Sequence, residues 1–270
     1  MSTVDLHYRR LGVPGATPVV ILHGLFGTSD NWGSIGKELS EPNNGAAPLD
    51  VLLVDLRDHG RSPHTEGTSY PAMAADVHAL VAGLGLKDIV LVGHSMGGKT
   101  AMLFAQRWPE LLKHLVVIDI SPKEHANNHA HIIEALRTAD LSPGRTRKDV
   151  EAHIAQRVKE PGVVQFLLKN LYWKDEGQLN WRMNVEGLRR DLYAILASIG
   201  PETVRVPTLF VRGGQSDYIL REDIPAIKEQ FVNSRVETVP FAGHWVHAQA
   251  PDEVVAWIRK WRGEEERNEE

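Results

Sequence analysis

The segment Gly93-His94-Ser95-Met96-Gly97 sets a serine between two glycines, directly after the apolar run 88–92 and directly before a helical pattern. A sharp strand-to-helix turn of this kind holds the serine in a strained backbone conformation with its hydroxyl above the sheet edge, and the glycines two residues either side let neighbouring chain pack close. The N-terminus of the following helix favours developing negative charge. A serine hydroxyl is a weak nucleophile at neutral pH and needs a base within hydrogen-bond reach. Of the 13 histidines, His244 stands late in the chain in a loop straight after a strand, in Phe241-Ala242-Gly243-His244-Trp245, and fits the order serine, acid, histidine. His247 is the fallback, whereas His94 and His23 flank glycines in turns and read as structural hydrogen-bonding groups. Two acids could orient the base: Asp119, at the end of the strand 115–118, and Asp217, just past the strand that ends in Arg212-Gly213-Gly214. An acid is usual three residues beyond the glycine, but that position, counted from Gly213, is Ser216. An oxyanion hole needs two backbone amides aimed at one point. Met96 supplies one, and Leu25, with Phe26 as the alternative, supplies the other from the glycine-rich loop 23–27.

These residues require strands that end side by side. Short apolar runs at 18–22, 51–54, 89–93, 115–119, 208–212 and 236–239 alternate with helical patterns at 32–39, 70–84, 95–108, 221–231 and 252–262. This alternation predicts an α/β fold with a mostly parallel sheet covered on both faces. Residues 4–10 alternate apolar and polar, as an edge hairpin strand does. Between 121 and 205 the strand pattern stops and helical patterns replace it, broken near Ser142-Pro143-Gly144 and Glu160-Pro161-Gly162. So long a structureless loop is improbable, and the expectation is an all-helical lid (121–205) inserted in a core built from 1–120 and 206–270. Phe26 and the lid residues Phe166, Leu167, Leu171, Tyr172, Trp173, Trp181 and Met183 are candidates for an apolar substrate pocket, although the lid residues could equally form the lid's own core.

Composition narrows the function classes. Of 270 residues, 42% are hydrophobic, which excludes a disordered or collagen-like chain. The net charge of -5 is concentrated at the end, where 264–270 hold five Glu and one Arg, so the rest is nearly neutral and lacks the basic face that nucleic acid needs. That acidic end reads as a solvated tail. Apolar runs of four to five residues are far short of a membrane span. The first ten residues are followed by Leu11-Gly12-Val13-Pro14-Gly15, which does not read as a secretion signal. The chain has no cysteine, which removes disulfides and thiolate chemistry and leans towards the cytoplasm. His125, His129 and His131 include a helical i, i+4 pair, but no third ligand is clear and the chemistry above requires no metal, so no cofactor is expected.

Taken together, HGLFG at 23–27, DLRDHGRS at 55–62, GHSMGGKTAM at 93–102, VVIDISP at 116–122, GGQSDY at 213–218 and AGHWVHA at 242–248 resemble the α/β-hydrolase superfamily over nearly the whole chain. The wording is similar to that of the small bacterial YbfF-type serine esterases and their mitochondrial relatives. The resemblance implies Asp119 as the acid and Ser216 as a supporting hydroxyl, because that group has a serine where other hydrolases carry their acid. The sequence departs from the group at Asp217 and at Asp58, and the first departure restores an acid near the usual place. Ser95 in the elbow excludes haloalkane dehalogenases and epoxide hydrolases, which use a carboxylate there. The resemblance implies a serine carboxylesterase for short to medium acyl esters, thioesters included, acting on a small-molecule ester. Lactone or carbon-carbon bond hydrolysis, and a non-catalytic ligand receptor, stand as the alternatives.

Overall fold

The computed structural model describes residues 2–42, 46–174 and 177–261. The acidic end at 264–270 lies outside the described residues. Seven strands form the main sheet: β1 (Tyr8–Gly12), β2 (Pro18–Leu22), β3 (Asp50–Val54), β4 (Ile89–His94), β5 (Leu112–Ile118), β8 (Thr208–Gly213) and β9 (Ser234–Val239), in the spatial order β1-β3-β2-β4-β5-β8-β9. β1 runs antiparallel to β3, and every other pairing in this sheet is parallel. β3 and β4 are buried along their whole length, which is why they read as unbroken apolar runs rather than as alternation. The edge strand β1 pairs with β3 and not with its sequence neighbour β2, so it does not form the hairpin its alternation suggested.

Helices α1 (Gly33–Ser40), α2 (Tyr70–Gly83), α3 (Met96–Arg107), α8 (Ile224–Gln230), α9 (Val246–Gln249) and α10 (Pro251–Trp261) flank the sheet. On one face, Ile35 and Leu39 of α1 and Val254 and Ile258 of α10 cover Val19, Ile21, Val90 and Val92. On the other face, Met73 and Val77 of α2 and Met102 and Phe104 of α3 cover Val20, Leu22, Leu91 and Val117. Along β2 and β4 the two sets occupy alternate positions, as the period of two requires.

Between β5 and β8 the chain forms α4 (Ala130–Arg137), α5 (Arg147–Ile154), α6 (Pro161–Leu168), α7 (Val185–Leu196) and a separate antiparallel pair, β6 (Leu171–Lys174) with β7 (Gln178–Trp181). The expectation of an all-helical segment is therefore corrected. Each strand of the pair has only four residues, barely more than one helical turn, so periodicity could not separate the two readings. The burial of β7 alternates in the manner of a strand. Among the described residues, no helix is long and apolar enough to cross a membrane.

Register brings the chemistry to one edge. Leu22 pairs with Gly93, His94 with Ile118, Ile118 with Val211, and Gly213 with Val239. The chain after β2, β4, β5, β8 and β9 therefore emerges at neighbouring points, outside the carboxyl ends of parallel strands where open α/β sheets bind ligands.

Candidate active site

Ser95 sits between β4 and α3 with φ 52° and ψ -120°, a conformation that costs a residue with a Cβ about 1–3 kcal/mol. Its amide donates to Ile118 O at 3.0 Å, which ties the turn to the end of β5. The close approach needs the glycines: a Cβ on Gly97 would lie 2.5 Å from His23 O, and one on Gly93 would lie 2.3 Å from Gly97 O.

Asp119 also has a positive φ, 49°, and its carboxylate is fully buried. It accepts from the Gly213 amide at 2.8 Å, from the Ser216 hydroxyl, and from His244 Nδ1 at 2.8 Å. Burial pushes the Asp119 carboxyl up, while the donors from Ser216 and Gly213 pull it down. Burial, with His129 nearby, pushes the His244 imidazole down, so the ring is neutral and Nε2 is free to take a proton once Nδ1–H is given to Asp119. Asp217 is exposed, and its charge acts on His244 in the opposite direction.

The His244 ring is fixed from several sides. Its own carbonyl accepts from His94 Nε2 at 2.9 Å, and the Tyr218 ring stacks on it with centroids 3.9 Å apart and planes 21° apart. His247 lines the same cavity but stacks on Trp32 at 4.5 Å, whereas the bond to Asp119 comes from His244. His23 Nδ1 donates to Gly24 O at 2.8 Å, and His23 Nε2 accepts from the Leu56 amide at 3.0 Å. The histidines flanking the glycines thus hold loops.

The loop after β2 separates the two candidate amides. Phe26 has φ 62°, and its amide donates to His59 Nε2 at 3.2 Å, while Gly27 N donates to Gly24 O at 2.9 Å. Among the described residues the Leu25 amide takes no partner. Met96 opens α3, where amides have no acceptor within the helix.

Ser95, His244, Leu25 and Phe26 line one cavity of about 260 Å³, walled further by Trp32, Ile132, Val163, Phe166 and Trp245. Of the lid aromatics expected there, only Phe166 takes part. Tyr172, Trp173 and Trp181 are a correction. Arg182 lies over the Tyr172 ring at 4.5 Å, Trp173 is 54% exposed, and Trp181 Nε1 donates to Leu136 O at 3.1 Å. All three belong to the short β6–β7 pair: Trp181 is buried in the core against α4, and Tyr172 and Trp181 line a separate cavity that Ser95 and His244 do not share. Leu167, Leu171 and Met183 are buried in the core. Sequence reasoning missed Ile132, Val163 and Tyr218. The last had a local signal, standing two residues beyond Ser216, but the walls from α4 and α6 had none.

Asp58, the other departure from the expected pattern, is buried with φ 64°. Its carboxylate accepts from Thr65 N and Thr65 Oγ1 at 2.7 Å each, from the Thr68 hydroxyl, and from Asn184 Nδ2 at 2.8 Å. It joins the loop after β3 to the start of α7.

A serine at a strand-to-helix elbow, with a histidine and a buried acid at the neighbouring strand ends, defines the class of serine hydrolases built on an α/β sheet. The family model for the alpha/beta hydrolase fold matches residues 17–159. The chain belongs to the α/β-hydrolase family, and its likeness runs to the YbfF-type esterases. It is 35% identical to the esterase YbfF of Escherichia coli over 249 residues, covering 91% of this chain and 92% of that protein. It is 39% identical over 268 residues to the sn-1-specific diacylglycerol lipase ABHD11 of Danio rerio, covering 95% of this chain and 82% of the relative. A solved marine microorganism esterase superposes with a TM-score of 0.90 at 38% identity, covering 96% of this chain and all of the other. The chain is a carboxylic ester hydrolase.

Proposed function

We propose that the protein is a serine carboxylesterase for uncharged esters with short to medium acyl chains, working through an acyl-enzyme on Ser95. The observation that carries the reading is the 2.8 Å contact between His244 Nδ1 and the buried Asp119, beside a strained Ser95 on the same cavity. Ser95 Oγ attacks the ester carbonyl and His244 Nε2 takes its proton. The oxyanion is held by the amides of Leu25 and Met96. His244 returns the proton to the departing alcohol, water then attacks the acyl-enzyme with the same base, and the acid and Ser95 are released. Asp119 holds the imidazole in the tautomer this requires, with Ser216 supporting the carboxylate and Asp217 outside the relay. Thioesters of the same acyl groups are open to the same route.

The size and charge of the cavity support the substrate class. Its volume of about 260 Å³ lies just below the usual span of ligand pockets, roughly 300–1,000 Å³, and so suits a small acyl group. Among the described residues its lining carries no Lys or Arg, and its one carboxylate is Glu160, an arrangement that disfavours acyl groups bearing a negative charge. Residues 121–205 act as a cap that supplies one wall, through Ile132, Val163 and Phe166.

The test is hydrolysis of p-nitrophenyl esters from acetate to palmitate by wild type beside Ser95→Ala. A maximum at short or medium chains that is lost in Ser95→Ala is expected. Turnover that survives in Ser95→Ala, or folded wild type inert on every ester, would overturn the reading and point to lactone or carbon-carbon bond hydrolysis or to ligand binding.

A further inference from the structure

Lys99 lies one turn beyond Ser95 on α3, 1% exposed, and among the described residues no carboxylate is bonded to it. Its ammonium instead donates to three backbone carbonyls: Lys123 O at 2.6 Å, Ala197 O at 2.6 Å and Leu196 O at 3.3 Å. Lys123 belongs to the stretch that leaves β5, and Leu196 and Ala197 close α7, the last helix before the chain returns to β8. The two stretches also bind each other, His125 N to Leu196 O at 3.0 Å and Ile199 N to Pro122 O at 3.0 Å. One buried cation therefore sits at the neck where residues 121–205 leave and rejoin the core. It also meets the negative end of the α7 dipole.

We infer that Lys99 is a positioning residue that clasps this neck to the nucleophile helix and so sets the cavity wall of residues 128–132 relative to Ser95. The proposal rests on the esterase reading of the site. The path is short. Asn128, His129, His131 and Ile132 line the cavity a few residues beyond the clasp, and His125 packs against the same Tyr218 ring that stacks on His244. Three N–H donors match three carbonyls only while the group is an ammonium; a neutral amine has two, and its bonds lose their charge assistance, so the hold on the neck weakens. The groups facing the ammonium are the Tyr70 ring of α2, 5.7 Å away, and Glu124 and His125 from the stretch after β5. The Lys123 side chain turns away to Asp223. Burial pulls Lys99 down to about 7, against Glu124, and burial with the Lys99 charge pulls His125 down to about 4. Lys99 therefore changes charge between pH 6 and 9, and the clasp loosens as pH rises.

The experiment compares wild type, Lys99→Met and Lys99→Arg by steady-state kinetics on p-nitrophenyl butyrate and by amide hydrogen exchange. In Lys99→Met, KM is expected to rise about tenfold with kcat within about twofold, and exchange at His125 and Ile199 to quicken while the β4 and β5 amides stay protected. Lys99→Arg is expected to recover part of KM. In wild type, KM should rise and neck protection should fall, after correction for intrinsic exchange, from pH 6 to 9; in Lys99→Met both should be flat. Loss of protection everywhere, with a lower kcat and unchanged KM, would mean that Lys99 serves global stability only and would overturn the proposal. So would an unchanged neck. If Lys99→Met does not fold, the wild-type pH series alone decides. If wild type turns over no ester, the esterase reading fails while the exchange data still judge the clasp.

Discussion

The carboxyl edge of the sheet and the segment between β5 and β8 face each other across one cavity, yet they are built on opposite principles. At the sheet edge each reactive residue is held by its own strand end and several short hydrogen bonds. Asp119 has three donors on its carboxylate and a backbone bond to Val211, and Ser95 is bound to Ile118. In the segment the wall residues Ile132, Val163 and Phe166 come from two different helices, α4 and α6, and reach the cavity only because both helices pack against α5. The edge is fixed by local geometry and the wall by assembly. Changes at the edge should therefore strike the rate of the chemical step, and changes in the wall should strike recognition.

Ser95→Ala gives the largest effect, a loss in kcat on the order of 10⁴–10⁶-fold with the melting temperature unchanged or raised, since the strained position loses no packing. Asp119→Asn follows at about 10³–10⁴-fold, because an amide facing three donors cannot hold the same imidazole tautomer. Asp217→Asn, measured beside it, should stay within about twofold. A large loss for Asp217→Asn alone would break the assignment of the acid.

The wall is tested by a pair that sequence reasoning would treat alike. Phe166→Ala should raise KM for butyrate and hexanoate esters by roughly tenfold, whereas Trp173→Ala should leave KM and kcat within about twofold. Equal effects would remove the distinction between the cavity wall and the β6–β7 pair. The contrast also marks how far the sequence could be read. The sheet strands and the helices around them were legible because buried parallel strands are apolar runs closed by turns, and Ser95, Asp119 and His244 stood out as candidates because each follows such a run. The choice between Asp119 and Asp217 needed the family resemblance, since both stand just past a strand. The β6–β7 pair and the orientation of Tyr172, Trp173 and Trp181 were not legible, because a four-residue strand has no usable period and aromatic residues look the same in a pocket as in a hairpin.

The smallest expected effect concerns the place where the two regions are joined without touching the reaction. Asp58 lies in the loop after β3, and through Asn184 it holds the start of α7. Burial alone would push its carboxyl up, but the hydrogen bonds from Thr68, Thr65 and Asn184 outweigh that and hold it below its usual 3.8. Because the folded value is depressed, the stability it supplies is present above the unfolded pKa and lost as pH falls through the folded one. Asp58→Asn turns an NH₂ towards groups that donate, which should cost roughly 1–3 kcal/mol at pH 7. The kinetic constants of the folded fraction should be unchanged. Urea unfolding of wild type and variant at pH 7 and at pH 3 measures this, with the gap expected to narrow at pH 3. A gap of the same size at both would mean that the ionised carboxylate contributes nothing beyond the shape of the side chain, and that the joint is held by backbone bonds such as Asn184 N to Asp58 O at 2.9 Å. A change in KM would mean instead that the wall feels this joint as well as the neck. In that case recognition would depend on both ends of α7 rather than on the residues that line the cavity.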